Sequence, residues 1–135
     1  MGKDGIRLKL ELEKVFLGMD TAIPLGIIVN ELVSNSLKHA FSGKNEGEIH
    51  ISLRSGRMHG SEDKDSNSDR DCLEGSDFNY ILTVSDNGKG IPEEIDFRTT
   101  DSLGLQLITV LVEQIDGCIK LKRDQGTEFA IWFNI

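Results

Sequence analysis

The order of strand-like and helix-like apolar patterns constrains the fold of this chain more than any other feature of its sequence. Five segments have the apolar pattern and length of a strand, and two have the apolar spacing of a helix. The predicted strands are 6–16, 48–53, 80–84, 118–122 and 128–133, and the predicted helices are 21–40 and 101–116. Because strands and helices do not alternate regularly, this order predicts an α+β fold. We expect a two-layer sandwich, with helices on one face of a mixed, mostly antiparallel sheet.

The ends of both helices carry recognisable signals. Thr21 can cap the first helix, and Pro24 suits its first turn. The second helix is predicted to begin at Asp101 or Ser102 and to stop before Gly117.

Size and charge limit the classes of function. The chain has 135 residues and a net charge of −8, which fits one domain over 1–135 and argues against nucleic acid or an anionic membrane as a partner. No apolar run reaches the roughly 18 residues of a transmembrane helix. The spacing of Cys72 and Cys118 predicts neither a disulfide scaffold nor a zinc motif. We therefore expect a cytoplasmic domain without direct membrane contact, cut from a longer protein.

Segment 56–77 differs sharply in composition from the rest of the chain. It is rich in Ser, Asp, Glu, Asn and Gly, and seven acidic against three basic residues give it a net charge of −4. Such a segment buries too little apolar surface to offset its ordering entropy. It is predicted to be a disordered insert in the connection between two strands.

The first predicted helix places three polar side chains close together. At about 100° per residue, Glu31, Asn35 and Lys38 fall within an arc of roughly 60°. A solvated helix face would produce the same pattern. Two asparagines in a helix interior lower helix propensity, which favours a functional reason for them.

Three further segments combine turn or helix-start chemistry with glycine. The run 86–90, Asp-Asn-Gly-Lys-Gly, follows a strand and is either a plain turn or a pocket wall that a ligand approaches closely. Segment 102–107 places Gly104 at a helix start, where free N–H groups attract anions. The pair Gly126-Thr127 opens the last predicted strand.

In this order, the four segments resemble the nucleotide-binding boxes of the ATP-binding catalytic domain of sensor histidine kinases, a branch of the GHKL, or Bergerat-fold, ATPases. Segment 31–39 resembles the N box, and 86–90 and 102–107 resemble the two glycine boxes. The resemblance runs from about residue 8 to 133, without the insert. Segment 23–41 is similar to a subgroup that is often joined to light- or ligand-sensing modules.

The resemblance implies roles for four residues of the first helix. Asn35 would coordinate Mg²⁺, and Glu31 would polarise the attacking group or support the metal site. Lys38 would touch phosphate, and His39 stands where the family often has an aromatic ring over the adenine.

Residues outside the first helix would bind the nucleotide. Asp86 would accept a hydrogen bond from the adenine amino group, helped by Thr127 through water. Gly88, Gly90 and Ile91 would contribute to the pocket. The backbone N–H groups of Gly104 and Leu105 would bind phosphates.

Two departures from the family pattern stand out. Segment 91–101 is short for an ATP lid, and only Phe97 could replace the usual lid phenylalanine. The second box has Ser102 where many relatives have glycine.

The chain also lacks a phosphoacceptor motif, because His50 and His59 are predicted to be surface residues. The resemblance therefore implies a Mg·ATP-dependent kinase domain that phosphorylates a histidine on a neighbouring, upstream dimerisation domain, with a response regulator downstream. The isolated chain is expected to be monomeric, and the longer protein could be membrane-anchored.

Two alternatives remain open. One is another GHKL enzyme, such as an anti-sigma-factor serine kinase. The other is a non-catalytic interaction module that responds to nucleotide.

Overall fold

The computed structural model describes residues 5–40, 46–59, 68–70, 77–88, 103–123 and 126–134. Within them the elements are β1 (Ile6–Leu12), α1 (Met19–Asn35), a π-helical turn (Ser36–Ala40), β2 (Gly47–His59), β3 (Ser68–Arg70), β4 (Asp77–Asp86), α2 (Leu103–Gln114), β5 (Cys118–Lys122) and β6 (Thr127–Phe133).

The described strands form one six-stranded sheet in the order β1-β2-β4-β6-β5-β3. β1 runs parallel to β2, and every other described pair is antiparallel. Apolar side chains of both helices and of β2, β4, β5 and β6 make one continuous core. The predicted two-layer α+β sandwich, with a mixed, mostly antiparallel sheet, is therefore confirmed.

Apolar and polar side chains alternate along the strands, and the apolar ones form this core. On β4, Leu82 and Val84 are buried in the core, whereas Thr83 and Ser85 line a cavity with side chains of the neighbouring strands. On α1, the buried Leu25, Ile28 and Leu32 recur at helical spacing. Alternate residues of β4 therefore face the core and the opposite side of the sheet.

The start of α1 differs from the prediction. Gly18, and not Thr21, occupies the N-cap position, and its carbonyl accepts hydrogen bonds from the N–H groups of Thr21 and Ala22. Pro24 consequently lies inside the helix rather than in its first turn. The predicted capping role of Thr21 is wrong because the helix begins earlier in the chain than its polar signal suggests.

The strands also differ from their predicted lengths. β1 ends at Leu12, and β2 continues to His59, into the segment predicted as a disordered insert. Within that segment, 68–70 also forms a strand and pairs with β5 at the edge of the sheet. For these described parts the loop prediction is wrong, whereas 60–67 and 71–76 lie outside the described residues.

Two further features concern the helices and the cysteines. Neither helix in the described part of the chain is long and apolar enough to cross a membrane. Cys118 is fully buried and disulfide-bonded, and Cys72, the only other cysteine in the sequence, lies outside the described residues. The prediction that the cysteines form no disulfide is therefore wrong, because spacing along the sequence does not show which cysteines meet in the fold.

Candidate functional site

The carboxylate of Asp86, the last residue of β4, is fixed by two donors. The hydroxyl of Ser36 donates a hydrogen bond to Oδ2 at 2.7 Å, and the backbone N–H of Gly88 donates one to Oδ1 at 3.0 Å. Each carboxylate oxygen has a second lone pair with which to accept another bond. The end of β4 thus presents a pre-oriented acceptor that the end of α1 holds in place.

The sequence did not predict Ser36 as a site residue, although this residue continues the apolar stripe formed by the buried Leu25, Ile28 and Leu32. The residue is buried, and its hydroxyl reaches across 50 positions of the chain to Asp86. A hydroxyl in an apolar stripe was the available signal, because a buried polar group needs a partner.

Gly126 and Thr127 lie directly beside Asp86. Thr127 is buried and is the cross-strand partner of Asp86 between β6 and β4. Gly126 has φ of +109°, and a Cβ at this position would collide with the backbone carbonyl oxygen of Asp86. Only glycine satisfies both constraints, which explains Gly126 physically.

Asn87 connects the end of β4 to β2. Its side-chain Oδ1 accepts a hydrogen bond from the Glu48 N–H at 2.9 Å, and its own N–H donates to the Glu48 carbonyl at 3.3 Å. The turn after Asp86 is therefore anchored to β2, which limits the freedom of the Asp86 carboxylate.

The first turn of α2 packs against the polar face of α1. A Cβ built at Gly104 would lie 2.7 Å from Oε1 of Glu31 and 3.9 Å from both Oδ1 and Nδ2 of Asn35. Glu31 and Asn35 are half-buried there, so the solvated-face alternative does not describe them. Glycine at this position leaves the space that the Glu31 carboxylate occupies.

The start of α2 also provides backbone donors. Leu105 has a buried side chain that belongs to the core, so only its backbone can serve the site. The positive end of the helix dipole lies at this turn, and backbone N–H groups there attract anions. Beside them stand the oxygens of Glu31 and Asn35, a combination suited to a ligand with both a cation and negative oxygens.

The two halves of the site meet at the end of α1. Asn35 faces Gly104 of α2, and the next residue, Ser36, bonds Asp86 of β4. Lys38 is exposed on the π-helical turn that follows. One stretch of α1 therefore joins the pre-oriented acceptor to the cluster at the start of α2.

Some predicted site residues cannot be located. Gly90, Ile91, Phe97 and Ser102 lie outside the described residues, and so does the side chain of His39.

Comparison with known proteins identifies the family of the chain. A family model described as histidine kinase-, DNA gyrase B-, and HSP90-like ATPase matches residues 20–135. The chain therefore belongs to this family of ATPases.

Within the family, the chain is similar to histidine kinases. Blue-light-activated histidine kinase 2 of Erythrobacter litoralis is 28% identical over 122 residues, which cover 90% of this chain and 30% of that protein. Sensor histidine kinase PdtaS of Mycobacterium tuberculosis is 29% identical over 120 residues, covering 85% of this chain and 20% of that protein.

A solved structure extends the similarity to the fold. The histidine kinase domain of the Erythrobacter litoralis EL346 blue-light activated histidine kinase has a TM-score of 0.75 and 26% identity, covering 96% of this chain and 55% of that chain. The chain thus resembles the catalytic domains of histidine kinases in both sequence and fold. It spans less than a third of the length of the curated relatives it matches.

Proposed function

We propose that this domain binds Mg·ATP and transfers the γ-phosphoryl group to a histidine on a dimerisation domain of the same longer protein, in the cytoplasm. The observation that carries the proposal is the double anchoring of Asp86 by Ser36 and Gly88, in line with the Glu31–Asn35–Gly104 cluster through α1. A fixed acceptor and a cluster of oxygen donors joined by one helix suit a nucleotide, which has a base at one end and phosphates at the other.

Asp86 binds the base of the nucleotide in this proposal. Its carboxylate accepts the adenine amino hydrogen through a remaining lone pair, and Thr127 adds a hydroxyl beside it through water. Because Ser36 and Gly88 hold the carboxylate before ATP arrives, less orientational entropy is lost on binding. Gly88 keeps the pocket wall free of a side chain.

Residues at the start of α2 and the end of α1 bind the phosphates of the nucleotide. Backbone N–H groups of Gly104 and Leu105 face the phosphates, and Lys38 adds a positive charge from the exposed turn. Positioning and charge neutralisation provide most of the catalysis of phosphoryl transfer. Glu31 orients or polarises the attacking group.

The donor atoms at this end fit a magnesium ion. Asn35 supplies an amide oxygen and Glu31 a carboxylate, and both are hard oxygen donors. The described ranges contain no cluster of three or more His, Cys, Asp or Glu residues able to hold a metal by themselves. Magnesium is commonly held by few protein oxygens together with water and substrate phosphates. When bound, it neutralises charge on the phosphate oxygens.

The acceptor is proposed to be histidine rather than serine because the matched relatives are histidine kinases. A response regulator would then receive the phosphoryl group. The non-catalytic alternative is disfavoured by the half-buried Glu31 and Asn35 at the predicted phosphate end.

The test is a transfer assay with labelled ATP, Mg²⁺ and an added histidine-bearing acceptor domain. We expect acid-labile, base-stable label on the acceptor and none on the chain alone. Asn35→Ala should abolish transfer while leaving part of the ATP affinity, because the adenine contacts persist. Base-labile label on the acceptor, or stable label on the isolated chain, would contradict the proposal.

A further inference from the structure

Strand β1 forms one edge of the sheet and leaves an apolar surface uncovered. Its residues Leu8 and Leu10 are in register with the buried Ile49 and Ile51 of β2, yet they are 57% and 54% exposed. Leu12 continues this row and is equally exposed. The apolar face of the sheet thus extends beyond the area that the helices cover, as at surfaces that bind another protein.

The backbone of β1 presents its even-numbered residues to the open edge. The Gly5 carbonyl and the Glu13 N–H both bond to β2, at 2.9 Å each. Backbone groups in a strand alternate direction with a period of two, so odd-numbered residues face β2. The N–H and C=O groups of Leu8, Leu10 and Leu12 consequently point away from β2, and among the described strands none pairs with them.

The charges of β1 and of the residue that follows it are arranged antisymmetrically about Leu10. Arg7 and Lys9 precede it, and Glu11 and Glu13 follow it at matching distances. If two copies of the strand pair antiparallel with Leu10 opposite Leu10, each Lys9 faces Glu11 and each Arg7 faces Glu13 of the other copy. A parallel pairing would instead place like charges together.

The same register also pairs the open backbone hydrogen-bonding groups and brings the leucine side chains together. It pairs even-numbered residues with even-numbered ones, so Leu8 stands opposite Leu12 in positions that exchange both backbone hydrogen bonds. The leucines meet on one face and the charges on the other. Three independent features, the open hydrogen-bonding edge, the leucine row and the charge order, therefore select one register.

We infer that β1 is a self-recognition strand through which two copies of this chain associate by antiparallel edge pairing centred on Leu10, joining their sheets into one. The interface is isologous, because each copy contributes the same strand. A dimer of this kind differs from the monomer that the sequence alone predicts.

The acidic side chains are already held on the charged face of β1. Glu11 lies 2.5 Å from Nε2 of His50, and Oε1 of Glu13 accepts hydrogen bonds from Ser55. These contacts leave the extended strand in place, so pairing requires no rearrangement of the backbone.

A charge-swap experiment tests the register by sedimentation of the whole chain without nucleotide. The wild-type chain should pass from monomer to dimer as its concentration rises. Lys9→Glu and Glu11→Lys should each raise the dimer dissociation constant by about tenfold or more, since each homodimer then contains two like-charged cross-strand pairs. An equimolar mixture of the two variants should dimerise again, because the mixed pair restores both opposite-charge contacts.

Matched variants separate this surface from general charge and folding effects. Glu113→Lys makes the same charge change as Glu11→Lys on the exposed side of α2 and should leave dimerisation unchanged. Leu10→Pro removes an N–H that faces the open edge, so it should abolish the dimer; a thermal melt reports whether the fold persists. A denaturing gel without reductant checks that the dimer is not a disulfide cross-link.

A wild-type chain that stays monomeric from micromolar to millimolar concentration would overturn the inference. A mixture of Lys9→Glu and Glu11→Lys that remains monomeric while the wild type dimerises would overturn it as well. Neither result bears on ATP binding, which the proposed function predicts separately.

Discussion

Two carboxylates of this chain have the same kinds of donors but opposite surroundings. Asp86 accepts hydrogen bonds from the Ser36 hydroxyl and the Gly88 N–H, at 2.7 and 3.0 Å. Glu13 accepts them from the hydroxyl and the N–H of Ser55, at 2.7 and 3.2 Å. Asp86 lies where α1, β4 and β6 meet, whereas Glu13 is exposed after an edge strand. The two carboxylates therefore differ in how many elements of the fold converge on them, and we expect only the one at the convergence to serve a binding site.

The largest difference between the two carboxylates is expected in ATP affinity. Asp86→Asn should weaken ATP binding by about tenfold to hundredfold, because a hydrogen bond to a charged group contributes about 1.5–3 kcal/mol. Calorimetric titration with ATP measures the change. Glu13→Gln makes the same carboxylate-to-amide change at the exposed position and should leave ATP affinity unaltered. Equal ATP affinity of Asp86→Asn and wild type would remove Asp86 from the adenine pocket.

The second prediction concerns Gly104. In Gly104→Ala the new methyl group displaces the Glu31 carboxylate from its position 2.7 Å away. Because small displacements of catalytic groups are costly, phosphoryl transfer should fall by about tenfold or more. Thermal stability should change little, since the end of a flexible side chain can move aside.

Gly26→Ala is the matched control for Gly104→Ala. It adds the same methyl group to a helix at a point where nothing lies within 4 Å. This variant should stabilise the fold by roughly 0.5–1 kcal/mol and leave transfer unchanged. If both alanine variants transfer at the wild-type rate, Glu31 does not act from its observed position.

A smaller effect is expected at Ser36. Ser36→Ala removes the 2.7 Å hydrogen bond to Asp86 but leaves the carboxylate itself. The free energy of unfolding should drop by about 1 kcal/mol, and ATP affinity should fall less than in Asp86→Asn. Chemical denaturation and calorimetry give the two values, with Ser34→Ala on the same helix as the control. Loss of stability without any change in affinity would separate Ser36 from the site.

The smallest effect is expected at Glu13 and depends on pH. The hydroxyl and then the backbone N–H of Ser55 hold the pKa of Glu13 below its usual value, and Arg54 adds to this. A carboxyl with a lowered folded-state pKa stabilises the fold above its unfolded-state pKa and loses that contribution as pH falls through the folded-state pKa. Melting curves of wild type and Glu13→Gln should therefore converge in acid. A difference that grows in acid would contradict this assignment.

Much of the fold was predictable because it depends on local periodicity. Alternation gave the strands that carry the core, and Gly117 marked the end of the second helix, where its N–H donates to the Val112 carbonyl at 2.9 Å. β3 was not predictable from the sequence. Ser68–Arg70 has no apolar pattern, and it pairs with β5, which is distant in the sequence.

The site was predictable to the extent that its residues share an element. Glu31 and Asn35 share a helix face, so their proximity follows from spacing alone. The bond from Ser36 to Asp86 joins α1 to β4, and no local pattern reports such a contact. The same holds for the close approach of Gly104 to Glu31, which depends on how two helices pack.

Base discrimination tests the central claim most directly. Calorimetry would compare ATP with inosine triphosphate, which has an oxygen in place of the adenine amino group, on the wild-type chain and on Asp86→Asn. The account predicts that the wild type prefers ATP by about tenfold or more and that Asp86→Asn loses this preference. A wild-type chain that binds both nucleotides equally, or a variant that keeps the full preference, would contradict it.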